Sequence, residues 1–197
     1  INEGIFGEIY SVDGDYLYGR IEKILNGWRG TGNNYSGMKG GGIHMIDLMC
    51  WLTDQRPISL NTVGNSISTR NSSVSIYDFI STSFKFKSGM VGRITANLGC
   101  VHRHQHVLRI FGTKATFILD DKGPRVHFSR DPAAHVDNLE LEMLPKRKSD
   151  TIPIFLNSVR KNINLKNKTK ELFNTVSILS ASDIALKTGK EENIFYL

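Results

Sequence analysis

ISTSFKFKSGMVGRITANL, residues 80–98, alternates with a period of two: Ile80, Thr82, Phe84 and Phe86 are interleaved with Ser81, Ser83, Lys85 and Lys87. That is the signature of a strand with one buried and one wet face. Ser88-Gly89 supplies a tight turn into a second strand from Met90 to Leu98, which predicts an antiparallel hairpin. Downstream, His106–Phe111 and Thr116–Leu119 predict a further pair around Gly112-Thr113-Lys114. Asp121-Lys122-Gly123-Pro124 breaks the chain before a shorter strand at Arg125–Phe128, and a last β segment is expected through Leu139–Leu144. Upstream, EIYSVDGDYLY, residues 8–18, reads as another strand.

Helical spacing appears in two places. Ile43, Ile46, Met49 and Cys50 predict a helix that starts near Gly42, after a glycine-rich polar stretch from Gly27, and stops near Asp54–Pro57. In the C-terminal part, Ile152, Phe155, Leu156 and Val159 share one helical face, as do Leu172, Val176 and Leu179, and Gly189 after Lys187 is a stop signal. Strand, helix, run of strands and two helices is a segregated order. It predicts an α+β domain built on a largely antiparallel open sheet with helices packed on one face. The other face of the sheet then needs a partner.

A chain of 197 residues with 40% hydrophobic and 22% charged residues is expected to form a single unit over 1–197. It has no apolar run of about 18 residues and no basic head leading an apolar secretory segment, so the expected location is cytoplasmic, away from membranes. Without a secretory signal the sequons at Asn34, Asn71 and Asn167 carry no weight. The net charge of +6 suits an anionic partner, either a nucleic acid or a phosphorylated metabolite. Its only dense cluster, Lys146-Arg147-Lys148 beside Pro145, reads as a solvated turn, and no zinc-finger or RNA-binding signature accompanies it, so nucleic acid is not expected. Cys50 and Cys100 form no metal-type pair and read as buried thiols.

KGGGIHMIDLMCWL, residues 39–52, is the stretch that invites chemistry. On a helix starting near Gly42, His44 has Asp47, Leu48 and Trp51 on its side. Unpaired N–H groups at the helix start disfavour an imidazolium while a nearby carboxylate favours it, a balance that serves a general acid/base. Glycines lacking Cβ would let a substrate or cofactor approach the helix start. The competing reading is structural: a satisfied core histidine with Asp47 as its partner, after an ordinary glycine turn. His102, His104 and His106 fall on one face of an extended segment, but no acidic or cysteine ligand is near in sequence, so they read as a polar, substrate-facing loop and no metal is expected. Gly30-Thr31-Gly32-Asn33-Asn34-Tyr35 nearly matches the dinucleotide fingerprint, yet neither follows an apolar strand nor ends in glycine, and is rejected.

Five collinear segments, GEIYSVDGDYLYGR, GGGIHMIDLMCWLT, GRITANLGC, LRIFGTKATFILDD and SASDIALKTGKEENIFY, together resemble the C-terminal domain of the Gfo/Idh/MocA oxidoreductases, and more narrowly their sugar or nucleotide-sugar dehydrogenases. The resemblance implies a two-domain enzyme. An N-terminal Rossmann domain, none of which is in this chain, would bind NAD or NADP and carry a catalytic lysine, while this domain supplies the substrate pocket and a homo-oligomer interface through its open sheet. The fragment alone is then expected to be inactive. The family's catalytic histidine falls on His44 and the acidic residue one turn beyond it on Asp47. Many members have an aspartate four residues before the histidine; here that position is Gly40. Tyr16, Tyr18, Arg20, Trp28, Arg29 and Asn97 are the substrate-facing candidates, and no cofactor-binding residue is assigned within this chain. The alternative is a non-catalytic assembly or ligand-binding domain in which His44 is structural.

Overall fold

The computed structural model describes residues 4–31, 35–140, 149 and 151–196. Within them the alternating segments become strands β1 (Ile9–Leu17), β2 (Pro57–Asn65), β3 (Phe79–Phe86), β4 (Val91–Asn97), β5 (Gln105–Gly112), β6 (Thr116–Asp120), β7 (Gly123–His127), β8 (Asp137–Asn138) and β9 (Glu192–Asn193). The helical segments are the short α1 (Glu22–Leu25) and α2 (Trp28–Thr31), then α3 (Ile43–Thr53), α4 (Thr151–Arg160) and α5 (Lys166–Thr188). All nine strands form one sheet in the order β8-β7-β6-β5-β1-β4-β3-β2-β9. Every neighbouring pair is antiparallel except β1 and β4, where Ser11 pairs with Val91 and Leu17 with Asn97. β2, β3 and β4 form a meander whose last strand, β4, lies beside β1. The fold is α+β, as expected.

Helices α3 and α5 cover one face of this sheet, α3 over β1 and α5 over β2. Val12, Gly14 and Tyr16 of β1 face them, as do Ile80, Thr82 and Phe84 of β3 and Gly92, Ile94 and Ala96 of β4. Met45, Ile46 and Met49 of α3 are fully buried against them, each worth about 1.5–3 kcal/mol of apolar burial. The opposite face is polar at its centre: Arg93 pairs with Asp15 (3.1 Å) and Asp13 (3.3 Å), and Arg109 reaches Asp15 at 3.2 Å.

Several elements differ from the sequence expectation for identifiable reasons. β2 escaped notice because its helix-facing side carries hydroxyls. Thr62 meets Thr82 at 3.0 Å and Ser182 of α5 at 3.1 Å, and the Thr82–Ser182 separation is 3.0 Å, so three buried hydroxyls satisfy one another where an apolar contact would ordinarily stand. On α5 the buried residues are Asn174, Thr175, Ile178, Leu179, Ala181, Ser182 and Ala185, while Leu172 and Val176 are 68% and 55% exposed. The expected face therefore holds only at Leu179, because small and hydroxylated residues let the helix lie close to β2. Ile152, Phe155, Leu156 and Val159 share α4 but are all exposed. Cys50 and Cys100 are free thiols, half-buried and not fully so, and burial pushes Cys50 up to about 11. Gly189 ends α5 in the left-handed region at φ 68°, as its position promised. The strand expected through Leu139–Leu144 is preceded by β8; of that stretch only Leu139 and Glu140 are described, and neither is in a strand. The 146–148 cluster and residues 32–34 lie outside the described residues. Among the described residues no helix is long and apolar enough to cross a membrane.

The glycine run is continuous with the helix. Met38–Gly42 forms a π-helical turn that leads directly into α3. A Cβ on Gly41 would lie 2.8 Å from Cζ of Tyr16 and closer still to Cδ1 and Cε1, and one on Gly14 would lie 2.8 Å from Ile94 Cδ1 and 2.9 Å from Met45 Cε. The helix start is thus set flat onto the end of β1, with bare backbone as the contact surface. Gly41→Ala is expected to destabilise this chain by about 1–3 kcal/mol, the cost of overpacking a filled core. Denaturant titration reads it: an unchanged midpoint would mean Tyr16 has room to move.

Candidate active site

At the C-terminal end of β1, Tyr16 and Tyr18 project to the helix-covered side and are buried. Tyr16 pairs in register with His106 of β5, and His104 precedes that strand by one residue. The Tyr16 ring centroid is 5.2 Å from His106, 5.3 Å from His104, 6.0 Å from Tyr18 and 6.1 Å from His44. Two expected features thus meet: the glycine-helix histidine and the His-x-His strand. His44 and His106 stand 6.2 Å apart. The alternation of a strand was the signal for His104 and His106; what spacing could not show was that β5 pairs with β1.

His102 goes elsewhere. Its Nε2 lies 3.1 Å from Asp121 and its Nδ1 2.8 Å from the Arg103 carbonyl, and these contacts, the carbonyl first, raise its pKa. The His104 Nδ1 donates to the Leu17 carbonyl at 3.1 Å, which leaves Nε2 as the acceptor of the neutral ring. His106 keeps an exposed edge, yet desolvation first, and the His104 and His44 imidazoles second, push its pKa down. Among the described residues no group of three His, Cys, Asp or Glu side chains could hold a metal ion.

His44 is exposed and makes no hydrogen bond among the described residues. It does not sit at a helix start. The Ile43 N–H donates to the Met38 carbonyl, and Ser36 Oγ accepts the Lys39 N–H at 3.2 Å, so the free N–H groups lie at the beginning of the π-helical turn and not beside the imidazole. Asp47 does not hold it either. That carboxylate is exposed one turn on and lines a hollow between α3 and α5 with Trp51, Asp54, Arg56 and Glu171.

The polar surround comes from other candidates. Arg20 lies over the Tyr18 ring at 5.9 Å and Arg29 over the Trp28 ring at 4.7 Å. Both guanidinium groups are close enough to Tyr16 to oppose the rise in its phenol pKa that burial and Tyr18 produce. Tyr35, which sequence reading did not single out, packs edge-on to Trp28 at 5.8 Å. Asn97 is not brought to this cluster: with Arg93 and Thr95 it alternates onto the opposite face of β4, where Arg93 donates to Thr95 at 2.6 Å.

A family model described as the GFO/IDH/MocA C-terminal domain matches residues 1–118. No curated protein sequence matches the chain. Among solved structures, a levoglucosan dehydrogenase in complex with NADH and levoglucosan is similar at 18% identity and a TM-score of 0.75, covering 98% of this chain and 61% of that one. An aldose-aldose oxidoreductase from Caulobacter crescentus complexed with glycerol gives 15% and 0.74 over 98% and 58%, and a myo-inositol 2-dehydrogenase from Lactobacillus plantarum 16% and 0.67 over 98% and 59%. This chain therefore spans about three fifths of the length of these structures, and at such identities the likeness establishes the fold.

The depressed His106 pKa has a consequence for stability. The unfolded chain takes up this proton more readily, so the contribution is full above the ordinary value of 6.5 and is lost as pH falls through the folded value. His106→Asn should flatten the fall of melting temperature between about pH 7.5 and about pH 5.5. His102→Asn should steepen it, because a raised pKa stabilises below 6.5 and that support is lost as pH rises through the folded value. Parallel melting curves for all three proteins would contradict the assignment.

Proposed function

The chain belongs to the Gfo/Idh/MocA oxidoreductase family, matching its C-terminal domain, and from that premise we propose that it is the substrate-binding and proton-handling part of a longer NAD(P)-dependent dehydrogenase of sugars or nucleotide sugars. The observation that carries this reading is the exposed His44 imidazole, open beside the rings of Tyr16 and His106. A structural histidine would be enclosed and hydrogen-bonded.

The nicotinamide, when bound, supplies the hydride chemistry. The glycine run is no cradle for its pyrophosphate, because Tyr35, Tyr16 and Met38 occupy the room that Gly40, Gly41 and Gly42 leave. The cofactor is therefore held mainly by elements outside this chain. His44 takes the proton of the reacting hydroxyl as its carbon is oxidised, or returns it in the reverse direction. Tyr16 forms the buried floor under the imidazoles. His106, held neutral near pH 7 by burial, adds a hydrogen-bonding nitrogen without a repelling charge. Arg20 and Arg29 give the pocket two cations suited to a carboxylate or phosphate, while Trp28 offers an exposed ring against which a sugar or base can stack.

Oligomerisation uses the open face of the sheet in this reading. Exposed Val63 and Val91 and the Tyr10–Phe111 stack flank the charged centre of that face, leaving apolar surface around the Asp13, Asp15, Arg93 and Arg109 network. Sedimentation of this chain should show self-association that Val91→Arg weakens; a monomer at high concentration would overturn the interface.

His44→Ala in the full-length protein is expected to lower kcat by about 10²–10⁴, the range of a lost general acid/base. Arg20→Gln should raise KM for carboxylated or nucleotide-linked sugars while leaving neutral polyols unaffected. Near-full turnover of His44→Ala, assayed with NAD(H) across candidate sugars, would contradict the assigned role.

A further inference from the structure

Gly40 stands one helical turn before His44, on the same side of the continuous π-α helix. A Cβ there would lie 2.5 Å from Cζ of Tyr35 and closer still to its hydroxyl oxygen and Cε2. The phenol therefore occupies the volume that a side chain at position 40 would need. It comes from a separate segment and is fixed by three contacts. Its ring is half-buried and edge-on to Trp28, its hydroxyl lies against the glycine, and the Arg29 guanidinium stands beside that hydroxyl. Tyr16 and Tyr18 are near enough to act on it electrostatically. Two tyrosine rings thus bracket the glycines, Tyr35 on Gly40 and Tyr16 on Gly41, on the approach to one exposed imidazole.

We propose that Tyr35 is a substrate-contacting residue of the His44 site, its hydroxyl acting with Arg29 to bind a sugar hydroxyl or carboxylate one helical turn ahead of the imidazole. The proposal rests on the functional reading above and deepens it. Gly40 has no side chain, and the polar group on that side of the histidine comes from Tyr35. The two positions are mutually exclusive in space: a carboxylate side chain at 40 and a phenol at 35 cannot both be seated. Burial raises the Tyr35 pKa despite the opposing charge of Arg29, so near neutral pH it is a hydroxyl that can both donate and accept.

The test uses the full-length protein and two variants. Tyr35→Phe keeps the ring and loses the hydroxyl, so melting temperature should be unchanged while KM, and the dissociation constant for D-gluconate by titration calorimetry, rise about tenfold or more with kcat altered little. Gly40→Asp should lower melting temperature and activity, and adding Tyr35→Ala should recover both beyond either single variant. Wild-type KM and gluconate affinity in Tyr35→Phe, or a double variant no better than Tyr35→Ala alone, would overturn the proposal. His44→Ala separates the two levels. If it is inactive while Tyr35→Phe is normal, only this inference fails; if it is active, the wider reading fails, and the gluconate titration still decides the role of Tyr35.

Discussion

The closest approach of strand to helix governs this molecule: the Tyr16 ring lies on bare backbone at Gly41. A strand end and a helix start can meet at such short range only when one of them has no Cβ. That contact seats His44 over the end of β1 and beside the His106 imidazole that β5 brings along by pairing with it. Behind it, Met45, Ile46 and Met49 on one side and Val12, Gly14 and Ile94 on the other close the core, so the orientation of the imidazole is inherited from packing. The glycines serve internal contact more than ligand access.

This changes the electrostatic picture of the histidine. A helix beginning at Gly42 would have aimed free N–H groups past His44. The π-helical turn instead carries the helix back toward Ser36, whose hydroxyl receives one of the opening N–H groups. The rings of Tyr16 and His106 stand beside the imidazole, while Arg20 and Arg29 are held over the faces of Tyr18 and Trp28. The carboxylate of Asp47 faces another hollow altogether.

Much of the architecture was legible in the chain because its central strands alternate cleanly, as in Ile80–Phe86, and because Gly189 marks a helix end. β2 was not, since Thr62 turns a hydroxyl into the core and finds partners only in Thr82 and Ser182, far along the chain. The same limit applies to the site. His44, Tyr16 and the His-x-His segment were each visible alone, but their convergence depends on which strands are neighbours. Tyr35 carried no local pattern of its own, and only the fold shows that it fills the space beside Gly40. Asn97 stands apart for the opposite reason: it pairs in register with Leu17, yet pleating sends it to the far face.

The parallel pairing of β1 with β4 has a further effect on how the protein is made. β1 is made before the other eight strands of the sheet but lies in its middle, flanked by β4 and β5. Its hydrogen-bonding edges stay unsatisfied until the chain has been synthesised through Asn97 and Gly112, and each closure spans a long loop whose entropy must be overcome before any contact is gained. Tyr16 is therefore made before both strands that flank it, and it reaches its final surroundings only after they arrive.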